Sequence, residues 1–341
     1  MLPVAASSAS GTVIAGFNVL PMHQRQKKLL DAICMVTLAV FFAVIAALSW
    51  AGRARELDSA ARDATTAVEA LELYAGGFVA SADLSLLAAD EALRAGAAHA
   101  PLNREQGNLI LAKTVPRLGV SAFLRVFDRH GRSAYSSDGN AGDAGVTDRD
   151  YFQYHLEHPD GGLFISNPLM SRATGLASAV FSRRRVAASG EFDGVIVLGV
   201  PIQLFESALH RFDPGPDGIV LLVSQTGQPY AQNPPLPPQD ALPVSDPDVV
   251  AALKQSLATG ANDVVRTPLD ADAGGHSRLV ASRRVGQTSL VVMVGKSIDA
   301  ALAEWRRQTA VLLPVATLLG LGAALMFTAI TRSLVAAGER S

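Results

Sequence analysis

The residues best equipped for chemistry crowd together between Gly145 and Pro168, GVTDRDYFQYHLEHPDGGLFISNP. Charge, aromatics, histidines and a Gly-Gly turn sit there between two strand-like runs. Such a stretch is an active site, a metal site, a ligand clamp or a polar loop. Catalysis finds little support, because the chain has no Gly-x-Ser-x-Gly, no His-Glu-x-x-His and no phosphate-binding loop. His155 and His158 share a helical face, but no carboxylate stands beside them at zinc-site spacing. Ser137–Asp143, SDGNAGD, lacks the carboxylate series and terminal Glu of a calcium loop. Cys34 is the only cysteine, so no internal disulfide and no thiolate metal site can form. The expectation is a chain with no catalytic residues, no metal and no cofactor.

The elements around this stretch read as strands. Ser121–Ser137 is strand, Asp-x-x-Gly turn, strand. Gly175–Val186 is a further strand, Gly190–Gly194 a turn, and Val195–Ile202 a strongly apolar strand leading into the helical QLFESALHRF. A weaker copy comes next, in the same order and at nearly constant separation. In it Gly131 matches Gly227, Ser182 matches Ser282, and Ile202 matches Ile298. FDPGPDG is a turn-rich joint between the copies, and NPPLPPQDALPVSDP is a Pro-rich surface loop of the second.

Upstream, Arg53–Ala98 is Ala-rich. Leu57, Ala61, Ala64, Val68, Leu71, Ala75, Phe78, Ala82, Ser85 and Ala89 recur in steps of four and three, which puts them on one helical face. Mostly small, that face suits close packing on a sheet or a dimer seam, and Gly76-Gly77 is a candidate kink. Pro101 marks the end of this helix and Pro116 the loop beyond it.

The 341 residues carry a formal net charge of −2, which excludes a general nucleic-acid binder. They are 49% hydrophobic and only 18% charged, against about 25% charged in ordinary soluble domains. Ala32–Trp50 and Ala310–Ile330 hold no charge and are each long enough to cross a bilayer. A retained anchor is favoured over a cleaved signal, since no Ala-x-Ala site comes promptly after it. His23–Lys28, HQRQKK, favours a cytoplasmic N-terminus, and Met22 is a candidate true start. The expected order is a cytoplasmic tail (1–28), a membrane helix (29–51), a long outer helix and connector (52–115), two sheet units (116–212 and 213–308), a second membrane helix (309–331) and a short tail (332–341).

This order, with VTDRDYFQYH, GLFISNP, SRRRV and GEFDGVIVLGVPIQLF, resembles the double Cache sensor region of bacterial transmembrane receptors, over about residues 50–308. The resemblance implies an α+β fold: a long N-terminal helix, then two tandem PAS-like antiparallel-sheet units, flanked by two transmembrane helices. It implies ligand sensing rather than catalysis, in a bacterial inner membrane, with residues 52–308 outside the cytoplasm. It places small polar or carboxylated ligands in the membrane-distal unit, on a segment of Arg, one intervening residue and two aromatics. Here that segment is Arg149-Asp150-Tyr151-Phe152. Arg149 would offer its planar fork to a carboxylate, with Tyr151 and Phe152 as walls. The amino-acid-binding branch carries Trp and Tyr at these places, a departure that counts against an amino-acid ligand. Strand alternation puts Phe181, Arg183 and Arg185 on one face and Ser182 and Arg184 on the other. Arg183 is expected in the pocket on the family's Ser-Arg-Arg pattern, Arg172 at its mouth, and His155 on the helix surface. Implied partners are the lipid bilayer, a second copy of the chain, and a cyclase or kinase module in a longer parent chain or a separate protein. The alternative is a membrane-anchored protein-binding scaffold with a filled distal unit.

Overall fold

The computed structural model describes residues 22–115, 122–139, 145–172, 175–225, 227–234, 265–269 and 278–338. The tail before Met22, Pro116, most of the Pro-rich loop and the end of SDGNAGD lie outside the described residues. The chain divides into two units, Met1–Arg53 with Trp305–Ser341, and Ala54–Glu304.

The first unit holds the start of α1 (Met22–Gly96) and almost all of α6 (Ala303–Gly338). None of the most apolar window of α1 is buried, and only 11% of that of α6. Ile33, Val36, Val40 and Val44 in α1, and Val311, Leu318 and Leu325 in α6, are exposed. A core helix would bury an apolar stripe, so these two helices are built to anchor in a membrane. Gly320 lets the Phe42 ring approach, where a Cβ would stand 3.0 Å from the ring. Trp305 donates its indole N–H to Ser49 O at 2.9 Å. Pro314 lies inside α6, where a membrane helix tolerates it.

The second unit begins with the rest of α1, which runs as one helix through Gly76-Gly77 rather than kinking there. Ala64, Val68, Leu71, Ala82 and Ala89 are buried as the spacing predicts. Further along, Leu86 is fully buried while Ser85 is only partly so, and Val79 and Leu93 join the buried set. A strict four-three alternation drifts by about 20° per heptad against a straight helix, so the buried stripe slips by one position along so long an element. The connector holds an unexpected helix, α2 (Arg104–Thr114). Its signal is Asn103-x-x-Gln106, a capping box in which each side chain accepts the other residue's backbone N–H.

Two antiparallel sheets come next. The first runs β2 (Ser133–Ser136), β1 (Phe123–Phe127), β6 (Phe192–Pro201), β5 (Ala177–Val186), β3 (Phe164–Ile165), with β4 (Leu169–Met170) also on β5. The second runs β8 (Pro229–Asn233), β7 (Ile219–Ser224), β11 (Leu290–Ser297), β10 (Arg278–Arg284), β9 (Val265–Leu269). The strand orders correspond one to one. Gly131 and Gly227 both take left-handed turns, with φ +72° and +82°, and Ser182 and Ser282 are both fully buried. Helices α4 (Ile202–Leu209) and α5 (Ile298–Ala301) start at the matched isoleucines. The internal repeat is therefore structural.

One face of each sheet packs on α1. Leu124, Val126, Phe181, Ile196 and Leu198 of the first sheet, and Leu222, Ala281, Val292 and Val294 of the second, share one core with Val68, Leu71 and Leu86. Arginines on the same faces reach carboxylates of the helix. Arg183 grips Asp83, with Nη2 to Oδ2 at 2.9 Å, and Arg185 Nε meets Asp90 Oδ1 at 2.6 Å. Arg283, the repeat counterpart of Arg183, lies 3.3 Å from Glu69. The Arg185–Asp90 pair is mostly buried, so Asp90→Ala, which leaves that guanidinium only Asp193 at 3.5 Å, should cost roughly 2 kcal/mol. Chemical unfolding of the full chain checks this; a loss no larger than that of an exposed-pair variant such as Arg132→Ala would refute it.

Candidate ligand-binding site

With α1 on one face of the first sheet, the other face carries Phe123, Arg125 and Phe127 of β1, Val180, Ser182 and Arg184 of β5, and Val195 and Val197 of β6. Helix α3 (Asp150–Glu157) lies over this face and is amphipathic, burying Tyr151, Phe152 and His155. Between them is a cavity of about 60 Å³ lined by Arg125, Arg149, Tyr151, Arg172, Phe123 and Phe127, among others. Gly199 faces the Phe123 ring, where a Cβ would stand 2.1 Å from it, so only glycine lets that wall seat.

The structure brings Arg149, Tyr151 and Arg172 to this one cavity. Arg149 caps α3 at its N-terminus and donates Nη2 to Met170 O at 3.2 Å. It forms no ion pair among the described residues, leaving most of its five donors unused. Tyr151 is 5% exposed, and burial pushes its phenol up to about 12, so it remains a donor at neutral pH. Its hydroxyl meets no hydrogen-bond partner among the described residues. Arg172 closes the rim, held by Asp148 at 3.0 and 2.6 Å and by Gly145 O. That bonding keeps Asp148 below the usual carboxylate range.

Two expectations are corrected. Arg183 does not reach the cavity. Strand alternation turns it, with Phe181 and Arg185, toward α1, where Asp83 binds it. Phe152 does not wall the cavity either: it is buried against Val180, Val195 and Val197, edge-on to Phe192 at 5.5 Å. The aromatic walls come from Phe123 and Phe127 instead. An unexpected cation also lines the cavity: Arg125, 5% exposed, bonded to Ser136 Oγ at 3.2 Å and to Asp138 at 3.3 Å. Its signal was legible: a lone charge mid-strand between Leu124 and Val126 must face away from the core they fill.

His155 is also corrected, from helix surface to core, with no exposure at all. Its Nε2 lies 3.0 Å from Ser182 Oγ, which in turn lies 3.4 Å from Phe164 O. Its Nδ1 is buried without a partner. Burial, reinforced by the charges of Arg184 and Arg183, brings its pKa down to about 4. His158 stacks on Tyr154 at 4.4 Å, and no group of metal-ligating side chains occurs among the described residues.

No protein-family model and no curated protein matches the chain. Solved structures do. The ligand-binding domain of the Campylobacter jejuni chemoreceptor Tlp3 in complex with L-norvaline aligns with TM-score 0.53 and 15% identity, over 72% of this chain and 94% of that one. The same sensory domain with isoleucine bound gives 0.53 and 14%, over 73% and 97%. The extracellular domain mmHK1S-Z2, assigned to a histidine kinase, gives 0.51 and 12%, over 73% and 99%. The fold is that of the double Cache regions: a long helix carrying two like sheets.

His155 sets a pH dependence. At and above neutral pH both folded and unfolded states hold it uncharged. As pH falls from about 6.5 toward about 4, the unfolded chain takes a proton that the folded one refuses, and stability drops. Between pH 7 and 5 this one group should cost about 2 kcal/mol. In His155→Phe the fall over that interval should shrink by that amount, read from chemical unfolding at the two pH values; an unchanged fall refutes the assignment.

Proposed function

We propose that this chain is the extracytoplasmic sensor portion of a membrane receptor, and that its ligand is a small carboxylate bound at Arg149. The observation that carries this reading is a guanidinium with most of its donors unused beside a phenol whose hydroxyl meets no partner among the described residues, both lining one cavity. Asp138 and Asp148 ion-pair with Arg125 and Arg172, while Arg149 makes no ion pair among the described residues and keeps donors for a ligand. A carboxylate supplies acceptors to guanidinium and phenol together. About 60 Å³ suits a few heavy atoms, since an apolar cavity of about 150 Å³ takes benzene. Solved structures of the Tlp3 domain contain amino acids, which supports ligand binding on this fold. The scaffold alternative expects Arg149 and Tyr151 to face solvent, and Tyr151 is 5% exposed.

In this reading residues 116–212 are the membrane-distal ligand unit and 213–308 the proximal one, in the periplasm of a bacterial inner membrane. Two copies pair through the outer helix. The ligand shifts the balance between two arrangements by its difference in affinity for them. Output belongs to a cyclase or kinase module in the same parent chain or in a separate protein. Titrating the full chain in lipid nanodiscs with acetate, propionate and glycine tests the site. Arg149→Gln should weaken carboxylate binding by about ten- to a hundredfold, while Arg183→Gln leaves it unchanged. Equal losses in both variants, or no carboxylate binding, would sink the proposal.

A further inference from the structure

A second cavity, of about 270 Å³, lies in a different part of the outer unit. Its walls are Leu71, Ala75 and Phe78 of α1, Phe205 of α4, and Leu222 and Val292 of the second sheet. Protein interiors close over voids much larger than a water, and this one stays open because α1 and α4 present alanines there, Ala75 and Ala208. An apolar cavity of about half this size stays dry and takes an aromatic hydrocarbon. Polar groups stand at its edge: Tyr74, Ser207 and Arg211, all exposed. Ser207 donates to Gln203 O at 2.7 Å and keeps its oxygen free to accept. Arg211 has no side-chain partner among the described residues.

We infer that this cavity is a second binding site, for a small amphipathic carboxylate whose hydrocarbon tail fills the apolar chamber while its head meets Arg211. The inference does not rest on the Arg149 site. The chamber also borders the contact between the two sheets. Phe181, Phe78, Phe205 and Tyr230 form a chain of edge-on rings at 5.8, 5.5 and 6.2 Å, from the first sheet through α1 and α4 to the second. An occupant would press on that chain, so the site can bias how one sheet senses the other.

The test uses the full chain in lipid nanodiscs, titrated with 3-phenylpropanoate and with propylbenzene as a headless control, both referenced to empty nanodiscs. Saturable 3-phenylpropanoate binding is expected in the wild type and in Arg149→Gln. Ala75→Leu and Ala208→Leu, each filling the chamber from one helix, should abolish it. Arg211→Gln should weaken 3-phenylpropanoate by about tenfold and leave propylbenzene unchanged. This last comparison decides the matter if a filling variant folds poorly. Binding that survives both leucine variants, that is lost in Arg149→Gln, or that does not exceed empty nanodiscs overturns the proposal.

Discussion

The structure depends on how one helix is held against two sheets. The outer part of α1 offers a narrow stripe of Ala, Val and Leu, and both sheets bury one face against it in a shared core. Burial of that kind has no direction of its own, so it does not fix where along the helix a sheet should sit. The arginines supply direction. Arg183 and Arg185 take Asp83 and Asp90, and Arg283 takes Glu69, so each sheet is pinned to its own stretch of helix. Because Arg183 and Arg283 are repeat counterparts, the same device is used twice.

This arrangement decides where a ligand can go. A strand has two faces, and the helix uses one of them on every central strand. The remaining face of the first sheet gathers what the core cannot accept: the Arg125 guanidinium, the Ser182 hydroxyl and, from α3, the Tyr151 phenol and His155 ring. Some of these are settled within the protein. Arg125 has Ser136 and Asp138, and His155 stays uncharged on Ser182. Arg149 has only the Met170 carbonyl, and the Tyr151 hydroxyl meets no partner among the described residues. Those unused donors are the physical reason for expecting a ligand that carries acceptors there.

Both sheets are tied together as well as to the helix. Tyr230 on β8 donates its phenol to Ser166 O at 2.6 Å, next to β3 of the first sheet, and lies edge-on to Phe205 of α4. From the second sheet the chain continues from β11 through α5, capped by Ser297, into α6. The first sheet is therefore joined to the second by a hydrogen bond and a ring contact as well as by the chain itself.

Much of this was legible in the residues. Uncharged runs declared the anchoring helices, because lipid demands apolar length and nothing subtler. The four-three spacing declared the α1 stripe because it is a local pattern, and the echo of Gly131, Ser182 and Ile202 declared the repeat because like segments recur in the same order along the chain. The Asn103–Gln106 capping box and the lone Arg125 in an apolar strand are equally local, though weaker, signals. What the sequence could not decide was partnership. Alternation correctly set Arg183 apart from Ser182, yet only the tertiary structure decided which of those faces α1 would cover. Likewise Tyr151 and Phe152 are adjacent aromatics, and one lines a cavity while the other fills a core. A helix turns successive side chains by about 100°, and which direction meets a void depends on chain segments brought together from far apart.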